Sequence, residues 1–569
     1  MKNISWETGS FDRDTAVAFC REGVSPLISV FLTSRGVTGI DEVREILGER
    51  PAEIHDPFLM ADMDKAVKRI NSAIDNREHI AVYGDYDVDG MTSSALLAQW
   101  LLSRGADFEI YIPGRLDEGY GLNCPALDYL KSRGVRLIIT VDCGITAIEE
   151  AKYARSLGME LVITDHHETR DELPEAEAVI DPKRQGCGYP YKHLAGVGVA
   201  FKLVCALEGQ YSSDEMFLRY CDLVAVGTIA DVMPVGGENR ELIRRGLRVL
   251  NTDPRVGFHY LLREVCTERG NIKSTTVGFV LAPRLNAAGR MSKPDLSVEL
   301  LMTNDRYEAE RLTSELSRLN TERRRLETEI YEQAAAMLPE NGPGGPIVLA
   351  GRCWYQGVTG IVAAKMSEQY MLPTIIISIG DDGVGRGSCR SVGGFGIYNA
   401  LRSCEDLLDN YGGHEMAAGV TVVESNIDEL RRRITQQYNS SVSASPAHSL
   451  KLDFEVEKPE LLSIRNVEEL ERLEPFGSDY PPPYLCITGA KLTYAQSIGA
   501  GLHSRLKISK SGTSLDCIFF SMPVEKLGVS EGMLVDVAFE PQINEFRGRK
   551  SVQLHLIDIR EAAASQGGV

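Results

Sequence analysis

The chain has 569 residues, of which 43% are hydrophobic and 25% charged, and its formal net charge is −20. The length predicts roughly two to four domains, and the composition is typical of a soluble globular protein. The acidic balance argues against a protein that coats nucleic acid through general positive charge. It leaves open an enzyme whose basic residues are concentrated in one cleft.

The sequence also contains signals about its compartment. Its first residues, MKNISWETGSFDRDTAV, lack a basic start followed by an apolar run, and no window is apolar enough to span a membrane. The 12 cysteines are scattered and form no CxxC pair, which argues against a zinc ribbon or a disulfide framework and fits a reducing compartment. We therefore expect a cytoplasmic protein without a membrane segment.

Residues 1–75 are predicted to form an N-terminal helical segment, with apolar residues at helical spacing within ADMDKAVKRIN. Residues 76–303 alternate short apolar runs with helical stretches that end near a glycine. The apolar runs are HIAVYG (79–84), FEIYIP (108–113), RLIITVD (136–142) and ELVITD (160–165). This alternation predicts an α/β domain with a parallel sheet and crossover helices.

A long helix is predicted over residues 304–340. Its apolar stripe consists of Leu312, Leu316, Leu319, Leu326 and Ile330. The stripe covers only about three heptads, so a helix connecting two domains is favoured over a dimeric coiled coil. Residues 341–438 then repeat a strand–helix–strand pattern and predict a second, smaller α/β domain.

The C-terminal part has a different pattern. Residues 439–449, NSSVSASPAHS, predict a flexible linker because they are serine-rich and lack apolar periodicity. Residues 450–569 contain short strands separated by turn residues, which predicts a small β-barrel with an OB-fold as the leading candidate. Within the barrel, NEFRGRKS (544–551) places Phe546 beside basic residues, a weak indication of an oligonucleotide-binding loop.

The stretch DYDVDG places Asp85, Asp87 and Asp89 at alternate positions before Gly90. An EF-hand loop is excluded because its twelfth position is Leu96 rather than a glutamate, and because an apolar strand precedes the stretch. At the carboxyl end of a parallel strand, an extended chain would direct the three carboxylates to one side, and Gly90 would let it turn into the helix. Helix capping would explain one of the aspartates but not all three.

Two later predicted strands also end in acidic or imidazole side chains. RLIITVDCG ends at Asp142, and ELVITDHHE ends at Asp165, His166 and His167; a further apolar run, LVAVGTIADVMP, ends at Asp231. Carboxylates with one or two imidazoles suit Mn²⁺ or Mg²⁺ better than a soft zinc site. Such residues around two metal ions fit phosphoester hydrolysis. No Walker A sequence is present, which argues against an ATP motor.

Glycines beside basic residues form candidate phosphate-binding loops, because glycine lets backbone N–H groups approach a phosphate. Two such segments lie in the second α/β domain: GRGSCRS (385–391) and YGGHEMAAG (411–419). PGRLDEGYGL (113–122) and APRLNAAGRM (282–291) have the same character in the first domain. An ordinary turn would explain any one of them alone, whereas their number beside a predicted metal site favours phosphate binding.

Together these segments resemble a known family. VYGDYDVDGMTSSALL, VDCGI, TDHHE and GTIADVMP resemble, in order, the four motifs of the DHH phosphoesterase superfamily, and YGGHEMAAG resembles the signature of its DHHA1 partner domain. DPFLMADMDKAV, ENRELIRRGL, PRLNAAGR, GSCRS and LEPFG narrow the resemblance to the RecJ family of single-strand-specific exonucleases. The resemblance extends from about residue 26 to residue 560.

The resemblance implies a 5′→3′ exonuclease that degrades single-stranded DNA with Mn²⁺ or Mg²⁺ in recombination and repair. The implied metal ligands are Asp85, Asp87, Asp142, His166 and Asp231. The implied catalytic support residues are Asp89, Asp165 and His167. The implied substrate-binding residues are Arg115, Arg290, Ser388, Arg390, Gly412, Gly413 and His414. The expected partners are single-stranded DNA, a single-strand-binding protein and a helicase, and the expected state is a monomer.

The sequence departs from the family pattern at two points. Tyr355 occupies a position that is usually histidine, which puts a catalytic or phosphate-binding role there in doubt, and LEPFGSDYPPP lacks the usual Gly-Asn. Two alternative functions remain at this stage. One is an oligoribonucleotide or cyclic-dinucleotide phosphodiesterase, which usually lacks a C-terminal barrel. The other is a noncatalytic replication scaffold, which would be expected to have lost motif aspartates.

Overall fold

We describe a computed structural model of the chain over residues 5–115, 118–211, 213–265, 272–441, 449–546 and 548–562. The chain divides into two compact units. The first comprises residues 1–53, 234–241 and 447–569, and the second comprises residues 54–233 and 242–446.

The helices and strands follow one another in this order. The helices are α1 (Arg13–Arg21), α2 (Pro26–Ser34), α3 (Ile40–Ile46), α4 (Met63–Asp75), α5 (Val88–Ser103), α6 (Cys124–Ser132), α7 (Ile148–Ser156), α8 (Gly196–Glu208), α9 (Asp214–Ala230), α10 (Gly237–Thr252), α11 (Val256–Val265), α12 (Ser274–Thr276), α13 (Ala282–Arg290), α14 (Asp295–Met302), α15 (Arg306–Ala336), α16 (Gln356–Tyr370), α17 (Ile397–Arg402), α18 (Ile427–Ser441) and α19 (Ile464–Leu470). The strands are β1 (Ser5–Thr8), β2 (Ile80–Tyr83), β3 (Phe108–Tyr111), β4 (Leu137–Val141), β5 (Glu160–Thr164), β6 (Ala178–Ile180), β7 (Ile347–Arg352), β8 (Thr374–Ile379), β9 (Val384–Arg390), β10 (Leu408–Gly413), β11 (Ala417–Val423), β12 (Ser449–Leu452), β13 (Phe454–Glu455), β14 (Leu485–Ile498), β15 (His503–Lys510), β16 (Thr513–Phe519), β17 (Leu534–Phe546) and β18 (Arg549–Glu561).

The predicted parallel sheet is present in the second unit. It has five strands in the order β3-β2-β4-β5-β6, and every pairing is parallel. Its central strands are wholly buried because helices cover both faces, with α6 and α7 on one face and α5 and α8 on the other. The carboxyl ends of β2, β4 and β5 therefore lie side by side.

Helix α15 spans the predicted connecting segment. Of its predicted stripe, Leu312, Leu316, Leu319 and Ile330 are buried. The helix packs on α11, α13 and α14 and, further along, on α16, so this chain itself covers the stripe. The stripe is therefore part of the core of the second unit, as the connecting-helix interpretation requires.

The residues after α15 form a second sheet, with the order β10-β11-β9-β8-β7. Strands β7 and β8 are parallel, and the other pairings are antiparallel. Helix α16 packs against β8 and β9, and α17 and α18 bury apolar residues against the sheet. The predicted strand–helix–strand pattern is present as β7, α16 and β8, whereas the hairpins that follow were not predicted.

The C-terminal strands form the predicted small barrel in the first unit. The sheet order is β13-β14-β15-β16-β18-β17, and an additional pairing between β14 and β17 closes it. Alternate residues of these strands point into one apolar core, as in other closed small barrels. Residues 442–448 of the predicted linker lie outside the described residues, as do Arg547 and the side chain of Phe546.

The predicted N-terminal segment of residues 1–75 is divided between the units. Residues up to Glu53 belong to the first unit, where β1 pairs in parallel with β12 and helices α1–α3 share the core of the barrel. Helix α4 belongs to the second unit and packs on α8 and β6. The sequence did not indicate this division because β1 is only four residues long.

Across the described residues, no helix is both long and apolar enough to cross a bilayer.

Candidate active site

Acidic and imidazole side chains meet at one edge of the parallel sheet. Asp85 follows β2, Asp142 follows β4, and Asp165 and His166 follow β5. Asp231 reaches the same place from the end of α9 rather than from a strand, so its apolar run is helical. The sheet places the first groups together because parallel strands present their carboxyl ends at a common edge.

The predicted residues form three overlapping groups in which the potential ligand atoms lie within 4.8 Å of one another. The groups are Asp85, Asp87 and Asp142; Asp89, His166 and Asp231; and Asp142, Asp165, His166 and His167. His166 is central: its Nε2 atom lies 3.0 Å from Asp142 Oδ1, 3.6 Å from Asp231 Oδ2 and 3.8 Å from Asp89 Oδ2.

The backbone of DYDVDG differs from the predicted extended run. Helix α5 begins at Val88, and Asp87 caps it by accepting a 3.1 Å hydrogen bond from the N–H of Gly90. Asp89 is therefore in the first helical turn. Gly90 is helical too, and its role is close approach: a Cβ there would lie 2.5 Å from the backbone nitrogen and oxygen of Asp85. The prediction that Gly90 lets the chain turn into the helix was therefore wrong. A glycine is needed at this position because the backbone of Asp85 leaves no room for a side chain.

Asp89 and Asp165 are fully engaged with the protein. The Asp89 carboxylate accepts hydrogen bonds of 2.6 and 2.9 Å from the backbone N–H groups of Gly196 and Val197, at the start of α8. Asp165 accepts a 2.9 Å bond from the N–H of Ile145 and lies 2.7 Å from Nδ1 of His167. These contacts fit supporting groups better than primary ligands.

Asp142 has an unusual backbone. Its φ is 61°, the left-handed region, and its side chain is buried at 3% exposure. A Cβ on Gly196 would lie 2.6 Å from this side chain, so α8 approaches Asp142 closely. A left-handed non-glycine residue costs about 1–3 kcal/mol and is typical of functional sites, where the surrounding structure enforces the conformation.

The carboxyl groups repel one another in the free protein. Burial and neighbouring carboxylates raise the pKa of Asp85, Asp89 and Asp142 well above the ordinary aspartate value. Burial, and next the charge of Asp87, raise the pKa of Asp231 to about 7. Oδ1 of Asp85 and Oδ1 of Asp142 are buried without a hydrogen-bond partner among the described residues. Buried, repelling oxygen donors beside an imidazole are the donor set for Mn²⁺ or Mg²⁺, so the residues present fit that ion type.

The two histidines have opposite protonation tendencies. Burial, and then the charge of His167, lower the pKa of His166 to about 3, which keeps its imidazole neutral, the form that ligates metal ions. The His166–Asp142 approach is therefore not an ion pair. Burial alone would lower the pKa of His167, but its hydrogen bond to Asp165 and the charge of that carboxylate raise it to about 9. His167 is thus a cation at neutral pH.

Two residues beside this cluster were not identified from the sequence. The hydroxyl of Tyr120 lies 3.3 Å from His167 Nδ1 and donates to the carbonyl of Asp142 at 3.4 Å. Asp181 follows β6 and is fully buried, and burial raises its pKa to about 7. Asp181 has the signal used for the other strands, an apolar run ending in an acid. For Tyr120 the only signal was its place between two glycines.

Arg115, Arg290 and Arg390 lie close to one another and next to the acidic groups, and we call them the arginine cluster. Arg290, at the end of α13, is half-buried, and burial and then the charges of Arg115, Arg323 and Arg390 lower its pKa to about 9. The guanidinium of Arg115 lies 5.0 Å from the ring centre of Tyr86. A cluster of like charges of this kind is stabilised by an anion.

Helix α16 and strand β9 complete this region. Arg290 Nη1 donates to the carbonyl of Gly357 at 3.4 Å, in the first turn of α16. A Cβ on Gly360 would lie 3.3 Å from the Ser388 hydroxyl and 3.5 Å from an Arg390 nitrogen. The structure thus brings Arg115, Arg290, Ser388 and Arg390 into one region, although they come from both α/β domains.

The remaining predicted substrate-binding residues lie elsewhere in the second domain. Gly412 and Gly413 end β10, and His414 is exposed in the turn between β10 and β11. The turn adjoins Arg390 because Ala417 pairs with that residue. It does not contribute to the residues of the three overlapping groups, which we call the acidic cluster: Asp85, Asp87, Asp89, Asp142, Asp165, His166, His167 and Asp231. Tyr355 precedes α16 and packs, half-buried, among apolar residues, as expected for a structural side chain.

Comparisons with known proteins agree with this architecture. Residues 79–228 match the DHH family, N-terminal domain; residues 330–440 match the DHHA1 domain; and residues 452–558 match the RecJ OB domain. The fold and the acidic site thus define a DHH-family protein.

More specific relatives cover almost the whole chain. The single-stranded-DNA-specific exonuclease RecJ of Bacillus subtilis (strain 168) is 38% identical over 99% of this chain and 71% of its own length. That of Dickeya dadantii (strain 3937) is 33% identical over 95% and 97%. A crystal structure of RecJ in complex with Mn²⁺ from Thermus thermophilus superposes with a TM-score of 0.84 and 29% identity, covering 100% of this chain and 81% of that one. This chain belongs to the RecJ family.

Proposed function

We propose that the protein is a metal-dependent 5′→3′ exonuclease that hydrolyses the phosphodiester bonds of single-stranded DNA, in recombination and repair. The observation that carries the proposal is the adjacency of the acidic cluster and the arginine cluster. Asp87 acts electrostatically on Arg290, and Arg115 acts on Asp85. A DNA end has the matching chemistry, because two successive phosphates can occupy the two clusters.

The residues of the acidic cluster have different proposed roles, and five of them are the metal ligands. Asp85, Asp87, Asp142, His166 and Asp231 would hold two divalent ions. Bound there, such ions lower the pKa of an attacking water and offset charge on the attacking and leaving oxygens.

The supporting residues then have separate roles. Asp89 is fixed by the start of α8 and keeps the carboxylates in place. His167, held protonated by Asp165, offers a cationic hydrogen-bond donor to the phosphate, and Tyr120 orients its ring.

The arginine cluster would hold the terminal phosphate of the strand. Arg290 and Arg390 are both half-buried, so water screens their charges less than it screens those of exposed arginines, and Ser388 adds a hydroxyl donor. This arrangement would position the first phosphodiester at the acidic cluster, so that nucleotides would be released from a 5′ end. The chain's barrel favours a DNA exonuclease over an oligoribonucleotide or cyclic-dinucleotide phosphodiesterase, which usually lacks one.

The first experiment compares substrates. Purified protein with Mn²⁺ is incubated with single-stranded DNA, duplex DNA and two- to five-nucleotide RNA, each labelled at either end. Rapid release of the 5′ label from single-stranded DNA, with gradual shortening of 3′-labelled strands, is expected. Loss of the short RNA with intact DNA would favour the alternative phosphodiesterase.

A second experiment tests the arginine cluster. Arg390→Ala should reduce the preference for 5′-phosphorylated over 5′-hydroxyl DNA by about 10- to 100-fold, because a charge-assisted contact of about 1.5–3 kcal/mol is lost. Arg432→Ala is the control, since Arg432 is exposed and pairs with Glu429 on α18. An unchanged preference in Arg390→Ala would remove the terminal phosphate from this cluster.

The proposal also includes a cytoplasmic monomer that works with a single-strand-binding protein and a helicase. Burial of the α15 stripe within the chain supports a monomer. Light scattering of the purified protein tests the oligomeric state, and co-elution with each purified partner tests those associations.

A further inference from the structure

A short segment that closely follows the metal-ligand candidate Asp231 belongs to the other compact unit. Residues 234–241 are part of the first unit, which contains the barrel, whereas the residues on either side of them are part of the second. Only Val232 and Met233 separate Asp231 from this segment. We call residues 234–241 the tether. The contacts that hold the tether therefore constrain the path by which the chain leaves Asp231.

The turn at Asp231 has a strained backbone. It ends α9 as a Schellman motif, in which the N–H of Val232 donates to the carbonyl of Ile229 at 3.1 Å and the N–H of Met233 donates to the carbonyl of Thr228 at 3.2 Å. Val232 occupies the position that is usually glycine in this motif, and its φ is 58°. A left-handed non-glycine residue costs about 1–3 kcal/mol and persists only where the surrounding structure enforces it.

The constraint on Val232 comes from the chain on either side of it. Val232 is 63% exposed, so packing of its own side chain contributes little. On one side is α9, whose last turns are buried up to Thr228. On the other side the tether begins with Pro234, which restricts the backbone of Met233 before it. The conformation of the turn thus depends on how firmly the tether is held.

Asp479 holds the first part of the tether. Val235 is 2% exposed, and its N–H donates to Oδ1 of Asp479 at 2.9 Å. A Cβ on Gly477 would lie 2.5 Å from Cγ1 of Val235, so the chain just before Asp479 lies against the Val235 side chain. Gly477 and Asp479 belong to LEPFGSDYPPP, the segment in which the sequence departs from the family pattern.

Arg240 holds the other end of the tether to the same segment. Arg240 is 6% exposed; its Nη1 donates to the carbonyl of Pro475 at 3.2 Å, and its Nη2 donates to the carbonyls of Leu473 and Ile46. Its guanidinium lies 4.9 Å from the ring centre of Tyr480. The Asp479 contact is the nearer of the two to Asp231 in the chain.

The Asp231 carboxylate is less enclosed than its neighbours in the acidic cluster. Its side chain is 26% exposed, whereas those of Asp89 and Asp142 are 1% and 3% exposed. Packing of the side chain therefore fixes Asp231 less than it fixes the other two. The position of its carboxylate depends correspondingly more on its backbone.

We propose that Asp479 is a positioning residue for the metal ligand Asp231. By holding the tether, Asp479 keeps the strained turn at Val232 in the conformation that directs the Asp231 carboxylate to the acidic cluster. The inference rests on the proposed function, in which Asp231 is a metal ligand. It gives the barrel unit a part in metal binding that is separate from any contact with DNA.

The test measures Mn²⁺ binding to the whole chain without DNA, by titration followed through the electron paramagnetic resonance signal of free Mn²⁺. Asp479→Ala removes the acceptor for the Val235 N–H. It should weaken Mn²⁺ binding by about ten-fold, since loss of a group that orients a ligand costs 10–100-fold in metal affinity. Asp479→Asn keeps a side-chain oxygen and should bind Mn²⁺ as the wild type does. Val232→Gly added to Asp479→Ala should restore binding, because glycine adopts the left-handed conformation without strain.

Asp12→Ala is the matched control, because Asp12 is an exposed aspartate of the same unit that also accepts a backbone N–H, from Asp14 at 2.9 Å. Equal Mn²⁺ affinities of Asp479→Ala and Asp12→Ala would overturn the inference. So would a defect that persists in Asp479→Asn or that Val232→Gly does not relieve. Absence of Mn²⁺ binding by the wild type would instead count against the proposed function. Thermal unfolding of each variant ensures that binding is compared between folded proteins.

Discussion

Asp142 combines a left-handed backbone, near-complete burial and a carboxylate oxygen without a hydrogen-bond partner among the described residues. Each of these features costs free energy in the unliganded protein. A bound cation would offset the electrostatic part. The sequence identified the residue because it ends an apolar strand, but its strain was visible only in three dimensions.

Replacement of Asp142 by asparagine should eliminate hydrolysis while the fold is retained. We expect a loss greater than about 100-fold, since changes to groups outside the ligand set already cost 10–100-fold. Hydrolysis of labelled single-stranded DNA and thermal unfolding would be measured together. Asp64→Asn, on α4, provides a control; turnover by Asp142→Asn equal to that control would remove Asp142 from the site.

Asp231 gives a pH-dependent prediction for the metal-free protein. Its folded-state pKa of about 7 exceeds the ordinary value, so folding binds protons and stability contributed by the protonated group declines as pH rises from about 4 to about 7. Asp231→Asn removes this term. In EDTA, the Tm of Asp231→Asn minus the Tm of the wild type should increase as the pH rises from about 4 to about 7. A Tm difference that does not change with pH would contradict the prediction.

At the scale of elements, the junction between β2 and α5 depends on contact rather than on turn geometry. Gly90 lies against the backbone of Asp85, and the start of α8 holds Asp89. Apolar runs were sufficient to predict β2, β4 and β5 because buried parallel strands are apolar on both faces. The same reasoning could not predict that α5 begins at Val88. The sequence alone does not distinguish an aspartate that caps a helix from an aspartate in an extended segment.

Substitution of Gly90 by alanine should displace Asp85 and reduce activity by about 100-fold, because small misplacements of catalytic groups are costly. The protein should also unfold at a lower temperature. Gly344→Ala is the control, because a Cβ there meets nothing within 4 Å. Comparable activity of the two variants would show that the loop accommodates a side chain at Gly90.

At the scale of the whole molecule, the first unit is assembled from segments far apart in the chain. Strand β1 pairs with β12, and Trp6 Nε1 donates to Asp558 at 2.9 Å. The guanidinium of Arg560 lies 4.0 Å from the ring centre of Trp6. The N-terminal strand is therefore a structural part of the barrel unit.

Trp6→Ala should destabilise this unit by about 1–3 kcal/mol through loss of the hydrogen bond, the cation–π contact and apolar burial. Scanning calorimetry should show a lower transition temperature for the barrel unit with little change for the other. Glu7→Ala controls for the strand itself, since Glu7 is exposed. Equal transition temperatures of the barrel unit in Trp6→Ala and Glu7→Ala would show that Trp6 does not contribute to the barrel's stability.

The sequence by itself determined the features that depend on local pattern. Apolar runs ending in acids predicted the parallel sheet and the cluster at its edge, because the carboxyl ends of such strands share one side. Short strands separated by turns predicted the barrel. These features follow from residues that are neighbours in the chain.

The tertiary structure decided which groups are free to bind and which are already engaged. Asp85 and Asp89 are equivalent in sequence, yet only Asp89 receives two N–H groups, from Gly196 and Val197. Likewise, the arginines of two domains and Tyr120 reach the site only through packing. Gly196 and Val197 lie more than a hundred positions from Asp89 in the chain, so no local pattern could specify these hydrogen bonds.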